Sequence, residues 1–231
     1  MSIDVTYFRI ERIIKSGAEC FLCALEDEIE GKYIDAYLSE LVMDAKSREK
    51  LAESGGFCNH HFYRMLITAI KPESSDGHGV ALITKSIIEK LLQDFQKRKK
   101  RNREFFPQAK RSCPACAHMA NLMEIYNRKI LELLSSRNEE FLKLLMDSKG
   151  LCIPHFMTLL KTLEDAMHNQ NQDVIDAIFE VEEKSFRRLK SELSEYIRRQ
   201  SYEFSNEDRR AVEDVLLRSI QKMVGRRGSR L

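Results

Sequence analysis

Cysteine and histidine recur at two fixed distances along this chain, and that recurrence constrains its fold more than any other feature. A Cys-x-x-Cys motif, "CFLC" at 20–23, returns as "CPAC" at 113–116, 93 residues later. A Cys-x-x-His motif, "CNHH" at 58–61, returns as "CIPH" at 152–155, 94 residues later. All 6 cysteines of the chain belong to this pattern. The spacing indicates two copies of one module.

The residues of the two motifs have the chemistry of zinc ligands. They are Cys20, Cys23, Cys58, His61, Cys113, Cys116, Cys152 and His155. Zinc favours four thiolate and imidazole ligands in a tetrahedron, and a Cys3His set completes its coordination. Either motif supplies two ligands from a single turn of chain, because residues three apart share a helix face. The pattern therefore predicts two zinc ions, each held by one motif of each kind.

The motifs can pair within a copy or between the copies. The helix after a Cys-x-x-Cys motif would run ~30 Å away from it, and the short helix that follows returns only about half of that distance. A simple hairpin therefore does not close a site within one copy. A break at Gly31, a steep crossing angle or exchange of ligand pairs between copies would close it. We expect pairing within each copy, because duplication of a module that already folded alone is the simpler history.

Apolar residues at helical spacing follow every motif, which predicts an all-helical fold. Tyr33 and Tyr126 each lie ten residues after the second cysteine of their motif, which supports the repeat. With 9 Gly and 4 Pro, the chain has too few turn residues for a strand-rich fold. We expect an all-α tandem duplication of a metal-stapled helical module, packed as one globular unit, with modules at 1–106 and 107–231.

Several helix ends carry recognisable capping sequences. Ser136 and Glu139 have the spacing of a capping box before a short helix at 137–148. Ser205 and Asp208 have the same spacing before a last helix at 207–224. The glycines at 55, 56 and 150 are expected to end the two short helices in the left-handed conformation.

The cysteines admit three interpretations besides zinc. An iron–sulfur cluster accepts mixed cysteine and histidine ligands. A thiol–disulfide redox role for "CPAC" usually comes with a βαβ context, which the sequence lacks. Cysteines are also commonly buried without any metal, although burial does not require histidine at the same offset twice. Zinc agrees best with the ligand types and their spacing.

The sequence also bears on where the chain resides. Its first residues lack the continuous apolar segment of a signal peptide. No stretch reaches the roughly 18 apolar residues that span a membrane. We therefore expect a cytoplasmic protein with reduced thiols and no membrane partner.

A zinc ion with four protein ligands has no position left for water or substrate, so the motifs argue against hydrolysis. The sequence also lacks a phosphate-binding loop, a serine nucleophile elbow and a zinc-protease helix. Carboxylates such as Glu26 and Glu30 are expected on solvated helix faces. Lys15, Lys110 and Arg111 are expected to offset the negative charge of the zinc–thiolate groups.

Two further histidines lie close to the motifs. His60 adjoins His61, but only His61 has a counterpart at the matching offset, His155. His118 has no counterpart in the first copy. We expect His118 to lie outside the ligand set or in solvent.

A cluster of cations follows the long helix of the first copy. It comprises Lys97, Arg98, Lys99, Lys100, Arg101 and Arg103. Such a cluster suits nucleic-acid phosphates, and Phe105 and Phe106 would be available to stack on bases. The formal net charge of the whole chain is only +2, however. A solvated helix end, where the helix dipole favours cations, is the simpler interpretation.

The paired motifs on an all-helical chain of this length resemble a family of bacterial and archaeal proteins classed as a domain of unknown function. The resemblance rests on the eight cysteine and histidine residues and covers most of the chain. It implies no activity, substrate or partner. The site itself predicts a non-enzymatic zinc-binding protein that serves as an interaction or regulatory module for a protein partner. The alternatives are an iron–sulfur or thiol-based redox protein and, third, a nucleic-acid-binding protein.

Overall fold

The structure is a computed structural model that describes residues 4–70, 77–101, 113–167, 172–200 and 213–226. Within these ranges every regular element of secondary structure is a helix. The helices are α1 Val5–Lys15, α2 Phe21–Ala36, α3 Ala45–Glu53, α4 Asn59–Ala69, α5 His78–Arg101, α6 Pro114–Ser135, α7 Glu139–Met146, α8 Ile153–Met167, α9 Gln172–Arg199 and α10 Asp214–Val224. The prediction of an all-α fold is confirmed. Among the described helices, none combines the length and the apolar content that crossing a membrane requires.

The helices repeat in order and in spacing. The starts of α6, α7, α8 and α9 lie 93, 94, 94 and 94 residues after the starts of α2, α3, α4 and α5. Two series of four helices thus share the offsets that the cysteine motifs showed. That the two series arose by tandem duplication stays a prediction.

The chain forms two compact units whose division differs from the division into sequence copies. Among the described residues, unit 1 combines those up to Asp27 with those from Glu124 onward, and unit 2 comprises those of the stretch Glu28–Met123. The boundaries fall inside α2 and α6. The boundary between the predicted modules 1–106 and 107–231 lies outside the described residues. The division of the sequence into these two modules stays a prediction.

Unit 2 has an aromatic and aliphatic core. It is formed by Ile34, Tyr37, Val42, Leu51, Phe57, Met65, Ile83, Cys113 and Ala115. The ring of Phe57 makes edge contacts with Tyr37 at 5.2 Å and with Phe62 at 5.6 Å. After α2 the chain widens into a π-helical segment, Tyr37–Leu41, in which the Val42 N–H donates to the Tyr37 carbonyl at 2.9 Å. Because Cys113 belongs to this core, the second Cys-x-x-Cys motif is anchored in it.

Unit 1 is built from aliphatic helix faces. α1 packs on α7, α7 packs on α9, and α10 packs on α8 and α9. Its buried side chains include Ile10, Ile13, Ile14, Ile130, Leu134, Phe141, Leu145, Val174, Ile178, Val181 and Val215. An Arg9 guanidinium N–H donates to the Tyr126 hydroxyl at 2.8 Å, which fixes the predicted repeat tyrosine of this unit against α1.

The helix ends agree with the sequence in part. Gly55, Gly56 and Gly150 have φ values of 81°, 86° and 74°, so their predicted left-handed conformation is confirmed. Gly55 follows the cap of α3, but α7 ends at Met146 with Asp147 as its cap, so the prediction that Gly150 ends this helix is wrong. The predicted cap at Ser136 is wrong. Asn138 caps α7 instead, because its side-chain oxygen accepts from the Phe141 N–H at 2.8 Å.

The Ser136 hydroxyl does not reach the start of α7, because it donates back to the Leu133 carbonyl at 3.2 Å. The cap predicted at Ser205 lies outside the described residues. In the described part, the last helix begins at Asp214.

The assignment of Asn138, in place of Ser136, as the cap of α7 can be tested directly. Replacing Asn138 with Ala should lower the free energy of unfolding by ~1 kcal/mol, because the Phe141 N–H loses its acceptor. Urea denaturation measures this change. Ser136→Ala is the matched control and should change the free energy of unfolding much less. A larger loss for Ser136→Ala than for Asn138→Ala would contradict the assignment of the cap.

Candidate metal centres

The eight cysteine and histidine residues form two groups of four. Site A comprises Cys20, Cys23, Cys152 and His155, and site B comprises Cys58, His61, Cys113 and Cys116. In each site the four ligand atoms lie within 4.8 Å of one another. All six cysteines are free thiols. Both groups can therefore hold a metal ion. Site A lies within unit 1 and site B within unit 2.

The ligand atoms of site A surround a common centre. The Nδ1 atom of His155 lies 3.1 Å from Cys152 Sγ. The same atom lies 3.4 Å from the sulfurs of Cys20 and Cys23. Cys23 Sγ and Cys152 Sγ are 3.6 Å apart. Both motifs thus turn their ligand atoms toward one point.

Site B repeats this arrangement. His61 Nδ1 lies 3.1 Å from Cys58 Sγ and 3.4 Å from the sulfurs of Cys113 and Cys116. Cys58 Sγ and Cys116 Sγ are 3.8 Å apart. In both sites the shortest contact is made within the Cys-x-x-His motif. The same histidine nitrogen faces the sulfurs in both sites, which agrees with two equivalent sites.

The expectation that motifs pair within each copy is wrong. Each Cys-x-x-Cys motif meets the Cys-x-x-His motif of the other copy. Helix length is the reason, because the 16 residues of α2 extend roughly 24 Å away from the first motif. The C-terminal half of α2 belongs to unit 2. In that unit the first Cys-x-x-His motif meets the second Cys-x-x-Cys motif, which supplies the other two ligands of site B. A break at Gly31 is not needed, and α2 continues through it.

All four ligand pairs lie across the start of a helix. Each first cysteine directly precedes the first residue of α2, α4, α6 or α8, and the second ligand is the third residue of that helix. Two helix N-termini therefore meet at each site. Their partial positive charge favours thiolates, and the first turn brings the two ligands of a motif to the same face.

A buried ion-pair network fixes two loops of site A, one directly before Cys152 and one directly before Cys20; these are called its ligand loops. Lys222, 0% exposed, comes from α10 and lies 2.8 Å from a carboxylate oxygen of Glu182. Lys222 also donates to the Lys149 carbonyl at 2.6 Å. The other carboxylate oxygen of Glu182 accepts from the Leu151 N–H at 2.5 Å. The backbone just before Cys152 is therefore held on both sides of Gly150.

Glu19 fixes the other loop of site A, directly before Cys20. Its carboxylate lies 2.5 Å from Arg188, 3.2 Å from Arg218 and 3.4 Å from Lys149. Only 7% of Glu19 is exposed, so its charge requires these partners. Lys149 pairs with this loop through its side chain and accepts from Lys222 through its carbonyl. The two ligand loops thus share one network.

The chain after α10 also lies against the sulfurs of site A. Gly225 has a φ of 77°, and a Cβ atom there would lie 3.5 Å from Cys152 Sγ and 3.9 Å from Cys23 Sγ. A cavity of about 40 Å³ lined by Cys20, Cys23 and Arg226 adjoins the site.

A carboxylate contacts the outer nitrogen of the histidine in each site. In site B, an oxygen of Glu30 lies 3.2 Å from His61 Nε2 and 2.5 Å from His60 Nε2. In site A, an oxygen of Glu26 lies 3.6 Å from His155 Nε2. Such partners orient a histidine ligand and increase its basicity. Because Nε2 faces the carboxylate, Nδ1 is left to face the sulfurs.

The predicted environment of the sites is wrong at three residues. Glu30 is 7% exposed, and the Glu26 side chain is largely buried, so neither lies on a solvated face. Lys15 pairs with Glu11 at 2.5 Å instead of with a thiolate group. Lys110 and Arg111 lie outside the described residues. Sequence reasoning missed Lys222, since nothing in the local sequence of α10 separates it from a surface lysine.

The close packing of site A shifts its ionisation strongly. Burial raises the pKa of the Cys20 thiol far above its usual range, and hydrogen bonding to Cys152 raises the pKa of Cys23 to about 12. Hydrogen bonds from Cys20 and Cys23 lower the pKa of Cys152. For His155, burial lowers the pKa, but bonds to Cys152 and Cys20 outweigh it and raise the pKa to about 12. Without an ion, site A thus favours the thiolate form of Cys152 beside the protonated imidazole of His155.

The remaining predicted residues lie apart from the two sites. His118 is exposed and stacks at 4.8 Å on the ring of Tyr33. In the basic cluster, Lys97 is exposed and α5 continues to Arg101. The side chains of 98–101 and all of Arg103 lie outside the described part, as do Phe105 and Phe106. Nucleic-acid binding by this cluster stays a prediction.

Comparison with known proteins identifies a family. No curated protein and no solved structure matches the chain. One family model, described as "Family of unknown function (DUF6062)", matches residues 1–229. That match confirms the resemblance to a family of unknown function and covers both sites. The chain therefore belongs to the family of unknown function DUF6062.

Proposed function

We propose that this protein is a non-enzymatic zinc protein, in which sites A and B each hold one structural zinc ion. The zinc ions hold the helices in an arrangement that presents a surface to a protein partner in the cytoplasm. The observation that carries the proposal is the spacing of the ligand atoms. An ion with sulfur ligands at ~2.3 Å in a tetrahedron places two sulfurs about 3.8 Å apart. The structure places Cys23 Sγ and Cys152 Sγ 3.6 Å apart in site A, and Cys58 Sγ and Cys116 Sγ 3.8 Å apart in site B.

The same spacing argues against an iron–sulfur cluster. A cluster distributes its protein ligands over separate iron atoms, which places those ligands farther apart than the ligands of a single ion. In both sites all four ligand atoms lie within 4.8 Å of one another. A single iron ion fits this spacing as zinc does. Three thiolates with one imidazole are a common set for structural zinc.

Closed coordination supports a structural role over catalysis. Each site offers four protein ligands, and catalytic zinc sites usually offer three. Each site also links two helix starts that are far apart in the sequence, so an ion would contribute directly to folding.

Exposed apolar side chains support the proposed protein partner. On α10, Leu216, Ile220 and Met223 lie on one face and are 42%, 59% and 58% exposed. Val215 and Lys222 on the same helix are buried. An exposed apolar stripe of this kind is typical of a surface that contacts another protein.

The metal content of the purified protein tests the proposal. We expect two zinc ions per chain by elemental analysis, since each site has a complete ligand set. Cys23→Ser and Cys116→Ser should each retain one ion. Each variant should also unfold at lower urea concentration, because a structural zinc ion contributes on the order of 10 kcal/mol to folding. A chain without metal that keeps its full helicity and stability would contradict the proposal, and iron in place of zinc would identify a different metal.

Paired cysteine variants test the exchange of motifs. Cys23→Ser with Cys152→Ser removes two ligands from site A alone, so one ion per chain should remain. Cys23→Ser with Cys58→Ser removes one ligand from each site and should leave none. Pairing within each copy would give one ion for the second pair and none for the first. Metal analysis of the two double variants therefore separates the two arrangements.

The two carboxylates beside the histidines give a site-specific test. In a Cys23→Ser background, which retains site B, Glu30→Gln should weaken metal binding roughly 10-fold, because it removes the charge that orients His61. Glu26→Gln in the same background should have no effect. In a Cys116→Ser background the two substitutions should exchange their effects. Metal loss to a chromogenic chelator measures this, and equal effects of both substitutions in both backgrounds would refute the assigned roles.

A further inference from the structure

Sites A and B have the same ligands but differ in how far their sulfurs are shielded. Cys20, Cys23 and Cys152 of site A are all buried, with exposures of 4%, 6% and 0%. In site B only Cys113 is buried, whereas Cys58 and Cys116 are partly exposed. A thiolate reacts with an oxidant only where the oxidant can reach the sulfur. Site B is therefore the more accessible of the two.

The charges around the sites also favour reaction at site B. In site A, Lys222 donates to the Lys149 carbonyl in the loop before Cys152, and the Lys149 side chain pairs with Glu19 in the loop before Cys20. Positive charge near a thiolate stabilises the thiolate and thereby lowers its nucleophilicity. The carboxylate at the outer nitrogen of the histidine does not separate the sites, because Glu30 in site B and Glu26 in site A take the same position, so the cations beside the loops of site A make the difference. Site B should therefore hold the more nucleophilic thiolates.

The two accessible sulfurs of site B are also neighbours. Cys58 Sγ and Cys116 Sγ are 3.8 Å apart, and a disulfide requires about 2.05 Å. Cys58 caps α4 and Cys116 lies in the first turn of α6, so the disulfide forms when these two helix starts move closer together. Geometry, accessibility and charge thus mark the same pair of cysteines.

We propose that Cys58 and Cys116 are an oxidation site for peroxides, through which oxidation releases the ion of site B while site A keeps its ion. This inference rests on the proposed zinc binding. One thiolate attacks a peroxide oxygen, which breaks the O–O bond and gives a sulfenic acid and hydroxide. The second thiolate attacks that sulfur, forms the disulfide and expels a second hydroxide. Two protons from solvent convert both hydroxides to water, so two sulfurs lose two electrons and one peroxide gains them.

Metal release follows from the ligand count. After the disulfide forms, Cys113 and His61 remain as ligands in site B, and two ligands do not retain a structural zinc ion. The disulfide keeps a covalent link between the starts of α4 and α6. A thiol reductant restores both thiolates, and zinc can then bind again. Site B would thereby report peroxide as a reversible loss of its metal.

The experiment treats the full-length zinc-loaded protein with hydrogen peroxide in the presence of a chromogenic chelator. Mass spectrometry after thiol alkylation locates the oxidised cysteines. We expect one ion per chain to be released on the order of tenfold faster than the other, since thiolate exposure and charge differ. The early disulfide should join Cys58 to Cys116. Reduction followed by added zinc should restore two ions per chain.

Site A is the internal control, because it has the same ligand set in the same chain. Equal release of both ions, or early oxidation of Cys20 and Cys23 through the adjoining cavity, would overturn the inference. Retention of both ions under peroxide would do the same. In these outcomes the starting protein contains two ions, so zinc binding itself stands. A starting protein without zinc would instead refute the proposed function, and this inference with it.

Discussion

The structure depends on the meeting of two helix N-termini at each group of candidate metal ligands. A cysteine directly before the helix and a second ligand at its third residue are directed to one point by the first turn. Three thiolates around a zinc ion leave a net charge of −1, and each helix start carries about +0.5 elementary charge. The two helix starts at a site thus offset a charge of about the same size. The ligands and the secondary structure that presents them stabilise each other.

Outside the ligands, the two sites are stabilised differently. Site A is surrounded by a buried network in which Lys222 and Glu19 connect both ligand loops. A buried ion pair contributes little net stability in general, but removal of one partner leaves a costly unpaired charge. The network therefore specifies one geometry of the loops. Site B depends instead on the aromatic core beside Cys113 and on the contact between Glu30 and His61.

The exchange of motifs changes what the internal repeat means for folding. Each half of the sequence contains both kinds of motif, yet neither half completes a site by itself. In the described part of the chain, unit 2 lies within one stretch of sequence, whereas unit 1 joins residues before Glu28 to residues after Met123. Site A therefore closes only when residues more than 100 positions apart meet, and site B closes within a continuous stretch. Closure of a shorter loop costs less entropy.

The sequence by itself determined the helical fold, the repeat offsets and the eight residues that converge on the sites. These follow from local rules, since periodicity, turn residues and motif spacing act within a few residues of one another. Only the tertiary structure decided which motifs meet. The pairing depends on the length and direction of α2, which separate motifs by more than the few residues that a local sequence pattern covers. The same holds for Glu30 and Lys222, which look like surface charges in sequence. Their burial depends on partners from other helices, and the tertiary packing alone brings those partners to them.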